Sequence, residues 1–493
     1  MTPVPARPAD SAHPRRPVDP TDPAGQPTAA GRPGLACGAP SSSGGFPHGL
    51  SRRGALLLAA VAGLAGCGSL GGIRGTELTS KVARTELSLT DAPDLKAAVT
   101  ACDTLGAALL ATQLDDDAHA NALASPVSLA LSLATASLGA TDPDAQGLNT
   151  LLGADSEKER STTWSAIRSC LLAHDTDDGD VSGFDPGDEA PEEPLVHVAD
   201  QLLIVDHDEP TEVSQEFVDE VHRWFTTDLR RADAAAAQDI LDQWVSKNTA
   251  GLIDSSALEV TVNLKVALQN VVLFAARWRE LFDESETRDE DFTCADGSVT
   301  SVPMMRQTST MACTEGKTGG RTEGEDEPVT WKVLRVPYSQ DFALDVVLPQ
   351  KGTLPGDLPK ETWSQASALL DEAEEEGLHP EVSLVMPRID LETGDSGVDI
   401  MPVLEGLGAD IAPMGRIGPG LGVNAYRQQV RLIVREDGTV AAGASEVDVG
   451  VSAVPDLGPT TEFRVDRPYV MRLRDLTTGV ALFEAVINNP RPS

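Results

Sequence analysis

Apolar residues early in the chain recur at helical spacing. From Asp94, leucines and valines return at three- and four-residue steps, which predicts an amphipathic helix. A second helix is predicted to begin at Pro126, where Ser125 can cap the first turn and proline is tolerated, and to end at Gly139. Two further helices are predicted at 214–225 and 236–253.

Strand patterns follow in the middle of the chain. Residues 195–206 alternate between apolar and polar, and residues 264–278 form an apolar run whose β-branched content indicates a strand buried on both faces. A hairpin is predicted around Asp296 and Gly297, with more strands at 331–339 and 342–349. Helices, then strands, then a mixed C-terminal half predict an α+β fold, in one large domain spanning 94–493.

The segment from Glu436 to Pro455 fits both a strand and a loop. A run of small residues follows Gly438, and alternation then returns, with valines on one parity and acids on the other. Successive side chains of a strand point to opposite faces, so this pattern suits a strand with its acids in water. The small residues, however, offer little apolar surface to hold this segment in a sheet. Two interpretations stay open. The segment is either an ordinary edge strand that runs into a linker, or a segment that can adopt both a loop and a strand conformation.

Three segments of different composition precede the domain. Residues 1–50, rich in proline and glycine, are expected to be disordered. In residues 51–67, paired arginines precede a short apolar run ending in LAGC, which resembles a twin-arginine export signal and a bacterial lipoprotein box with Cys67 acylated. The alternative is an amphiphilic linker with a chance cysteine. Residues 68–93 are interpreted as a polar tether. We therefore expect export, with a lipid anchor on the extracytoplasmic face of the cell membrane or release outside the cell.

Charge narrows the set of partners. The net charge of −39 would repel phosphate backbones, so no nucleic-acid partner is expected. We also expect the protein to be a monomer. Residues 174–194 contain nine acids and no base, and we interpret them as a solvated insertion loop. Calcium binding is the alternative there, although the twelve-residue spacing of a calcium loop is absent. The acids at 371–376 are interpreted as a solvated helix face.

Catalytic and metal-binding motifs are absent from the sequence. The eight histidines are scattered, and there is no HExxH, GxSxG or GxxxxGK[ST]. The sequence therefore predicts no enzyme, metal site or cofactor. The domain contains four cysteines, Cys102, Cys170, Cys294 and Cys313. Two alternatives stay open, a Cys294–Cys313 disulfide or four buried free thiols.

From about Asp94 to Pro490 the chain resembles the serpin family. SPVSLALSLATASLGA resembles the family's second-helix motif, and WVSKNTAGLI resembles a further family signature. QNVVLFAARWRELF resembles the central strand motif through Asn270, Phe274 and Trp278, and FRVDRPYVMRLRDLTTGVALFEAVINNP resembles the closing signature. The resemblance implies three β-sheets, about nine helices and an exposed reactive-centre loop.

The resemblance also implies a hinge and a mechanism. A target serine protease would cleave the loop as a suicide substrate and form a covalent acyl-enzyme. The loop would then insert into the main sheet and trap the protease, since loop insertion is an established property of this family. The hinge residues that the resemblance implies are Glu436, Gly438, Thr439, Val440, Ala441, Ala442, Gly443 and Ala444.

The residue types of this segment independently favour insertion. The run from Thr439 to Ser445 has no proline, no charge and nothing large. Insertion would bury one parity and leave Glu446 and Asp448 outside, and each buried valine contributes about 1.5–3 kcal/mol. The buried parity carries no charge, which argues against a non-inhibitory relative. Its members are Thr439, Ala441, Gly443, Ser445, Val447 and Val449.

Family spacing places the scissile bond after the fourteenth residue beyond the hinge glycine. That bond is Ser452–Ala453, with Val451–Ser452 and Val454–Pro455 as alternatives. No lysine or arginine occurs between Gly438 and Phe463, so a trypsin-like target is not expected. Small neutral residues suit an elastase- or subtilisin-like serine protease, with a papain-like cysteine protease as the alternative.

The chain departs from the family pattern where the main sheet opens. Gln428 replaces a usual histidine and Asn424 a usual serine, while Ser125, Ser128 and Asn270 keep the other polar positions. An amide cannot become charged, so we expect opening to be insensitive to pH.

Two other interpretations of the function remain. Val440 stands where an acid is common. The rival function is a non-inhibitory serpin-fold surface lipoprotein that acts as a binding or scaffold protein. A hydrolase would need a nucleophile–base pair, and the sequence offers none. The acidic surface argues against activation by heparin-like polyanions.

Overall fold

The computed structural model describes residues 75–142, 144–177, 179–318, 328–411, 413–423, 425–439 and 460–491. Several predictions concern residues outside these ranges. They are the disordered segment 1–50, the signal ending at Cys67, position Asn424, and the loop 440–459 with its Ser452–Ala453 bond.

Eight α-helices form within the described ranges, close to the expected number. The side chain of Asp94 caps the first by accepting a hydrogen bond from the Ala97 amide at 2.9 Å. The helix predicted at 236–253 was too long at its C-terminal end. Ala250 and Gly251 adopt left-handed backbone angles, and the observed helix ends at Asn248. The helices are α1 Leu95–Asp116, α2 Pro126–Ala136, α3 Asp144–Leu151, α4 Glu157–Leu171, α5 Gln215–Trp224, α6 Ala234–Asn248, α7 Thr362–Glu376 and α8 Met401–Gly406.

The β-strands are numbered in chain order. They are β1 Thr76–Glu77, β2 Ala122–Ala124, β3 Leu195–Asp206, β4 Thr227–Asp233, β5 Val266–Arg277, β6 Arg288–Thr293, β7 Val299–Thr310, β8 Cys313–Thr318, β9 Val329–Pro337, β10 Phe342–Pro349, β11 Glu381–Pro387, β12 Ile389–Glu392, β13 Val398–Asp399, β14 Arg427–Gln428, β15 Arg431–Val434, β16 Gly438–Thr439, β17 Thr461–Arg464, β18 Tyr469–Asp475 and β19 Ala481–Ile487.

These strands form the three large sheets that were predicted, together with a small β13–β14 pair. The main sheet has the order β1-β4-β3-β5-β16-β15-β12. The second has the order β2-β19-β18-β10-β9-β8, and the third β17-β11-β7-β6. The predicted α+β class is therefore confirmed. Among the described residues, the two residues of β16 connect β5 to β15 in the main sheet.

Helix α2 lies at the centre of the domain and is buried along its whole length. Its sequence, PVSLALSLATA, is apolar or small all round, which suits a helix covered on every side rather than an amphipathic surface helix. It packs between the main and second sheets, against β5 and β19. Helix α1 would by length and composition pass as a membrane span, but Leu105 and Leu109 are fully buried in this core.

The described part of the predicted tether is packed against the domain. Thr76 and Glu77 form β1 and pair with β4 at the edge of the main sheet. The Ser80 hydroxyl donates to Asp219 on α5 at 2.7 Å. Backbone hydrogen bonds, polar side chains and two isolated leucines, Leu78 and Leu89, hold this segment. These residues form no apolar periodicity, so the sequence pattern did not reveal the packing.

The acidic segment 174–194 is also more ordered than expected of a solvated loop. His197 on β3 pairs with Asp175 at 2.9 Å, and Ala190 is buried. Within the described ranges, no group of three or more His, Cys, Asp or Glu side chains is arranged to hold a metal ion. Cys294 and Cys313 are separate free thiols, so the hairpin disulfide is not formed.

Candidate functional site

Strand β16 marks where the predicted hinge enters the main sheet. Gly438 pairs with Arg277 and Thr439 with Ala276 on β5, while Thr439 also pairs with Val434 on β15. The structure thus places Gly438 and Thr439 between the two central strands. Val440, Ala441, Ala442, Gly443 and Ala444 lie outside the described residues.

A narrow cleft continues from β16 along the same gap. Among the described residues no ladder joins β5 directly to β15, and the cleft between them has a volume of about 40 Å³. It extends from Thr439 to Ser125 and Ser128 at the start of α2. This volume holds only a few water molecules, whereas neighbouring strands lie about 4.8 Å apart. A whole strand could enter only if β5 and β15 separated.

A buried carboxylate fixes the hinge just before β16. Glu436 is 3% exposed, and Arg388 Nε lies 2.7 Å from both of its carboxylate oxygens. The Thr287 hydroxyl donates to the same carboxylate at 2.5 Å. The Glu436 carbonyl accepts a hydrogen bond from the Phe282 amide at 3.0 Å. Charge-assisted bonds of this type are the strong ones, so the hinge is anchored where it leaves the sheet.

An aromatic pair lies under the entry point. The Tyr338 hydroxyl and Thr439 Oγ1 are hydrogen-bonded, and the Trp278 ring stacks on Tyr338 with centroids 4.2 Å apart. Trp278 Nε1 also donates to the Arg435 carbonyl at 2.8 Å. Burial raises the pKa of Tyr338, so its hydroxyl stays protonated and able to donate. The Thr439 side chain therefore faces the core.

Gly438 is required by close contact on the opposite face. A Cβ at this position would lie 2.2 Å from the Ala276 carbonyl oxygen and 2.6 Å from the Ala190 Cβ. Side chains do not approach this closely, so only glycine fits here without moving a neighbour.

Gln428 joins the far end of the cleft to α2. Its side-chain amide donates to the Ser125 carbonyl and accepts from the Ser125 amide, both at 2.9 Å. The Ser125 hydroxyl donates to the Leu482 carbonyl on β19 at 2.7 Å rather than capping α2. The neutral glutamine thus satisfies two buried backbone groups at once.

The remaining residues of this cluster form a chain of buried polar contacts. Ser128 on α2 is hydrogen-bonded to Asn270 on β5, and Asn270 is hydrogen-bonded to Asp200 on β3. Asp200 forms a buried ion pair with Arg168 on α4. The residues assigned to sheet opening thus form two hydrogen-bonded groups, Ser125 with Gln428 and Ser128 with Asn270. The second group extends to Asp200 and Arg168, and a role of either group in sheet opening stays a prediction.

Sequence reasoning missed Asp200 and Arg168. Asp200 is an acid inside a strand that is otherwise mostly buried, and that was the available signal, since an acid buried in a strand needs a partner. Arg388 and Tyr338 were also missed. Both lie far from the hinge in sequence, and nothing in the local pattern ties either of them to it.

A family comparison agrees with this architecture. The family model described as "Serpin (serine protease inhibitor)" matches residues 100–490, which is most of the chain. The chain therefore belongs to the serpin family, a family of protease inhibitors rather than of enzymes.

Several curated proteins are similar to this chain. Plasminogen activator inhibitor 1 of Neovison vison is 28% identical over 54% of this chain and 66% of its own length. Human glia-derived nexin is 25% identical over 60% of this chain and 73% of its length. The Hordeum vulgare protein Serpin-ZX is 27% identical over 51% of this chain and 63% of its length. The chain thus spans about two thirds of the length of these relatives.

Solved structures show the same fold. Tengpin, a thermophilic serpin in the native state, covers 83% of this chain and 96% of its own, with a TM-score of 0.61 and 17% identity. Human kallistatin covers 81% and 99%, with a TM-score of 0.64 and 17% identity. Thyroxine-binding globulin in complex with thyroxine covers 79% and 99%, with a TM-score of 0.61 and 19% identity.

Proposed function

We propose that this protein inhibits a serine protease as a suicide substrate. The observation that carries the proposal is β16, where Gly438 and Thr439 already lie between β5 and β15 at the mouth of a cleft. A segment that continues this strand would have a neighbouring strand on each side, β5 and β15, with which it can form hydrogen bonds. The mechanism therefore needs separation of two existing edges rather than a new fold.

The chemical step belongs to the target protease. Its serine oxygen attacks the carbonyl carbon of Ser452, the bond to the Ala453 nitrogen breaks, and the leaving amine takes the proton. The product is an ester that joins the protease to Ser452. Insertion of residues 440–449 into the cleft would then move the ester away from its original position before water hydrolyses it.

The environment of Thr439 supports the proposed direction of insertion. Its side chain is buried against Tyr338, so in a continuing strand residues 441, 443, 445, 447 and 449 would face the core. These positions carry small residues or valine. Glu446 and Asp448 would face outward, which avoids burying a charge.

The small, uncharged sequence around Ser452 favours an elastase- or subtilisin-like serine protease, with a papain-like cysteine protease as the alternative target. We further propose export and acylation of Cys67, which would tether the domain to the extracytoplasmic face of the cell membrane. Palmitate labelling of the full chain and of a Cys67→Ser variant tests the anchor. Equal labelling of both would refute it.

A non-inhibitory binding or scaffold function is the second candidate. The observation that favours it is the similarity in fold to thyroxine-binding globulin, which was solved in complex with thyroxine. The two candidates differ in what happens when the loop is cut.

Thermal unfolding before and after limited cleavage of the loop separates these functions. An inhibitor should gain a strand on cleavage, and its melting temperature should rise by more than about 10 °C, since a dozen new hydrogen bonds and buried side chains add stability. A binding protein with a passive loop should melt at the same temperature in both forms. That result would refute insertion.

A further inference from the structure

The acidic insertion between α4 and β3 crosses the entry point of the cleft. We define residues 184–194 as the strap. Its Pro191 carbonyl accepts a hydrogen bond from the Arg277 amide at the end of β5, at 3.0 Å. Its Glu192 carbonyl accepts from the Ser339 hydroxyl at 2.6 Å. One part of the strap is thus fixed to β5 and to the turn after β9.

Another part of the strap holds the hinge itself. The Ala190 amide donates to Asp437 Oδ2 at 2.9 Å, directly before β16. Arg435, directly after β15, donates to the Asp188 carbonyl at 3.3 Å. The strap is therefore bonded to both sides of the gap and to the segment that enters it.

An apolar contact places the strap over the next residue to insert. Ala190 packs with Ala275 of β5 and Ile433 of β15 on the outer face of the sheet, with Phe184 and Leu252 beside them. Ala275 and Ile433 are one row further along the gap than the Thr439 row. Ala190 consequently covers the outward position that residue 440 would take.

We propose that the strap is a latch on the main sheet. It holds β5, β15 and the hinge together, and its contacts at Ala190 must be released before Val440 can follow Thr439 into the gap. The strength of these contacts thus sets the rate of insertion. This proposal rests on the proposed inhibitory function. It assigns the acidic insertion a regulatory role.

Two variants of the full chain weaken the latch from different sides. Asp437→Ala removes the acceptor of the Ala190 amide, and Ser339→Ala removes the anchor at Glu192 without touching the hinge. Glu189→Ala is the matched control, since it removes one exposed carboxylate of the strap that makes no described contact with the hinge. Amide hydrogen exchange at Trp278 and Phe282 reports the hinge, because these amides donate to the carbonyls of Asp437 and Glu436.

We expect exchange at these amides to accelerate about fivefold in Asp437→Ala and in Ser339→Ala, the effect of losing one hydrogen bond, and to stay unchanged in Glu189→Ala. Incorporation of a synthetic peptide of residues 440–450, which begins where β16 ends, should accelerate to the same extent. Acceleration by Asp437→Ala alone would locate the effect in the hinge and overturn the latch, as would no acceleration in either variant.

The two proposals fail in different ways. If the wild-type protein neither incorporates the peptide nor traps a protease, the inhibitory function is refuted. Exchange at Trp278 and Phe282 then still decides whether the strap holds the hinge. If trapping is normal and exchange is unaffected by both latch variants, the latch alone is refuted.

Discussion

Gln428 shows how one neutral side chain can secure the closed sheet. Its two hydrogen bonds satisfy the Ser125 amide and carbonyl inside the domain. Gln428→Ala should lower the free energy of unfolding by about 1–3 kcal/mol, because the buried Ser125 amide loses its partner, whereas the Ser125 carbonyl keeps its hydrogen bond from the Leu129 amide. Chemical denaturation measures this. Gln429→Ala is the control, since Gln429 also makes two hydrogen bonds but at a partly exposed site, and it should cost under about 1 kcal/mol.

The same position should determine the pH dependence of the cluster. A histidine buried here would have its pKa lowered, because burial disfavours the charged form. In Gln428→His the free energy of unfolding would be highest above the unfolded pKa of about 6.5. It would decrease as the pH falls below that value, because the unfolded state then binds a proton that the folded state does not. Denaturation at pH 8 and pH 5, with the wild-type difference subtracted, measures the effect. A variant whose stability changes with pH only as the wild type does would contradict this interpretation of the cluster.

Asp345 in the second sheet carries a prediction about stability at low pH. Burial opposes ionisation of this carboxyl, but the hydrogen bonds and charge of Arg335 outweigh burial and hold the pKa of Asp345 below its ordinary value. Its contribution to stability is therefore present above about pH 3.9 and is lost as the pH falls through the lowered folded pKa.

Removing this carboxylate should be costly at neutral pH. Asp345→Ala leaves Arg335 buried without its main partner, and we expect a loss of about 3–5 kcal/mol in unfolding free energy. Glu315→Ala breaks an exposed pair with Lys332 and should cost under about 1 kcal/mol. Equal losses in the two variants would contradict this prediction, because they would show that Arg335 is not left buried without compensation.

At the scale of elements, β16 and the residues that follow it carry the test of parity. Ala441 and Ala442 are adjacent and identical, but only Ala441 would face the core in an inserted strand. Ala441→Glu should convert the inhibitor into a substrate that is cleaved without trapping, while Ala442→Glu should retain most of its trapping. The fraction of protease trapped per mole cleaved measures this. Equal trapping by both variants would contradict insertion in this register.

Much of the element pattern could be predicted from the sequence, because it is local. The apolar run that became β5 and the spacing that became α1 each identify one element without reference to the rest. The strap and the packed part of the tether could not be predicted. Both segments are largely polar, and their order comes from backbone hydrogen bonds to distant residues such as Arg277 and Arg230. Their apolar contacts, at Ala190 and Leu78, are isolated and form no periodic pattern.

At the scale of the whole molecule, family resemblance assigned a hinge at Gly438 and a cluster where the main sheet opens, and it did not say how the two lie relative to one gap. It could not predict that the gap is closed to about 40 Å³, since that depends on how β5 and β15 pack. Nor could it predict Arg388, Tyr338 or Asp200 as partners. Long-range pairing is set by tertiary contacts, which leave little trace in local composition.

Trapping of a protease tests the inhibitory mechanism of the whole molecule most directly. The full chain is mixed with an elastase- or subtilisin-like serine protease, and the products are resolved in SDS and mapped by mass spectrometry. We predict a covalent complex that resists SDS, with the ester at Ser452 and release of a fragment that begins at Ala453. Complete cleavage of the loop by such proteases, with no covalent complex at any ratio of inhibitor to enzyme, would contradict the mechanism.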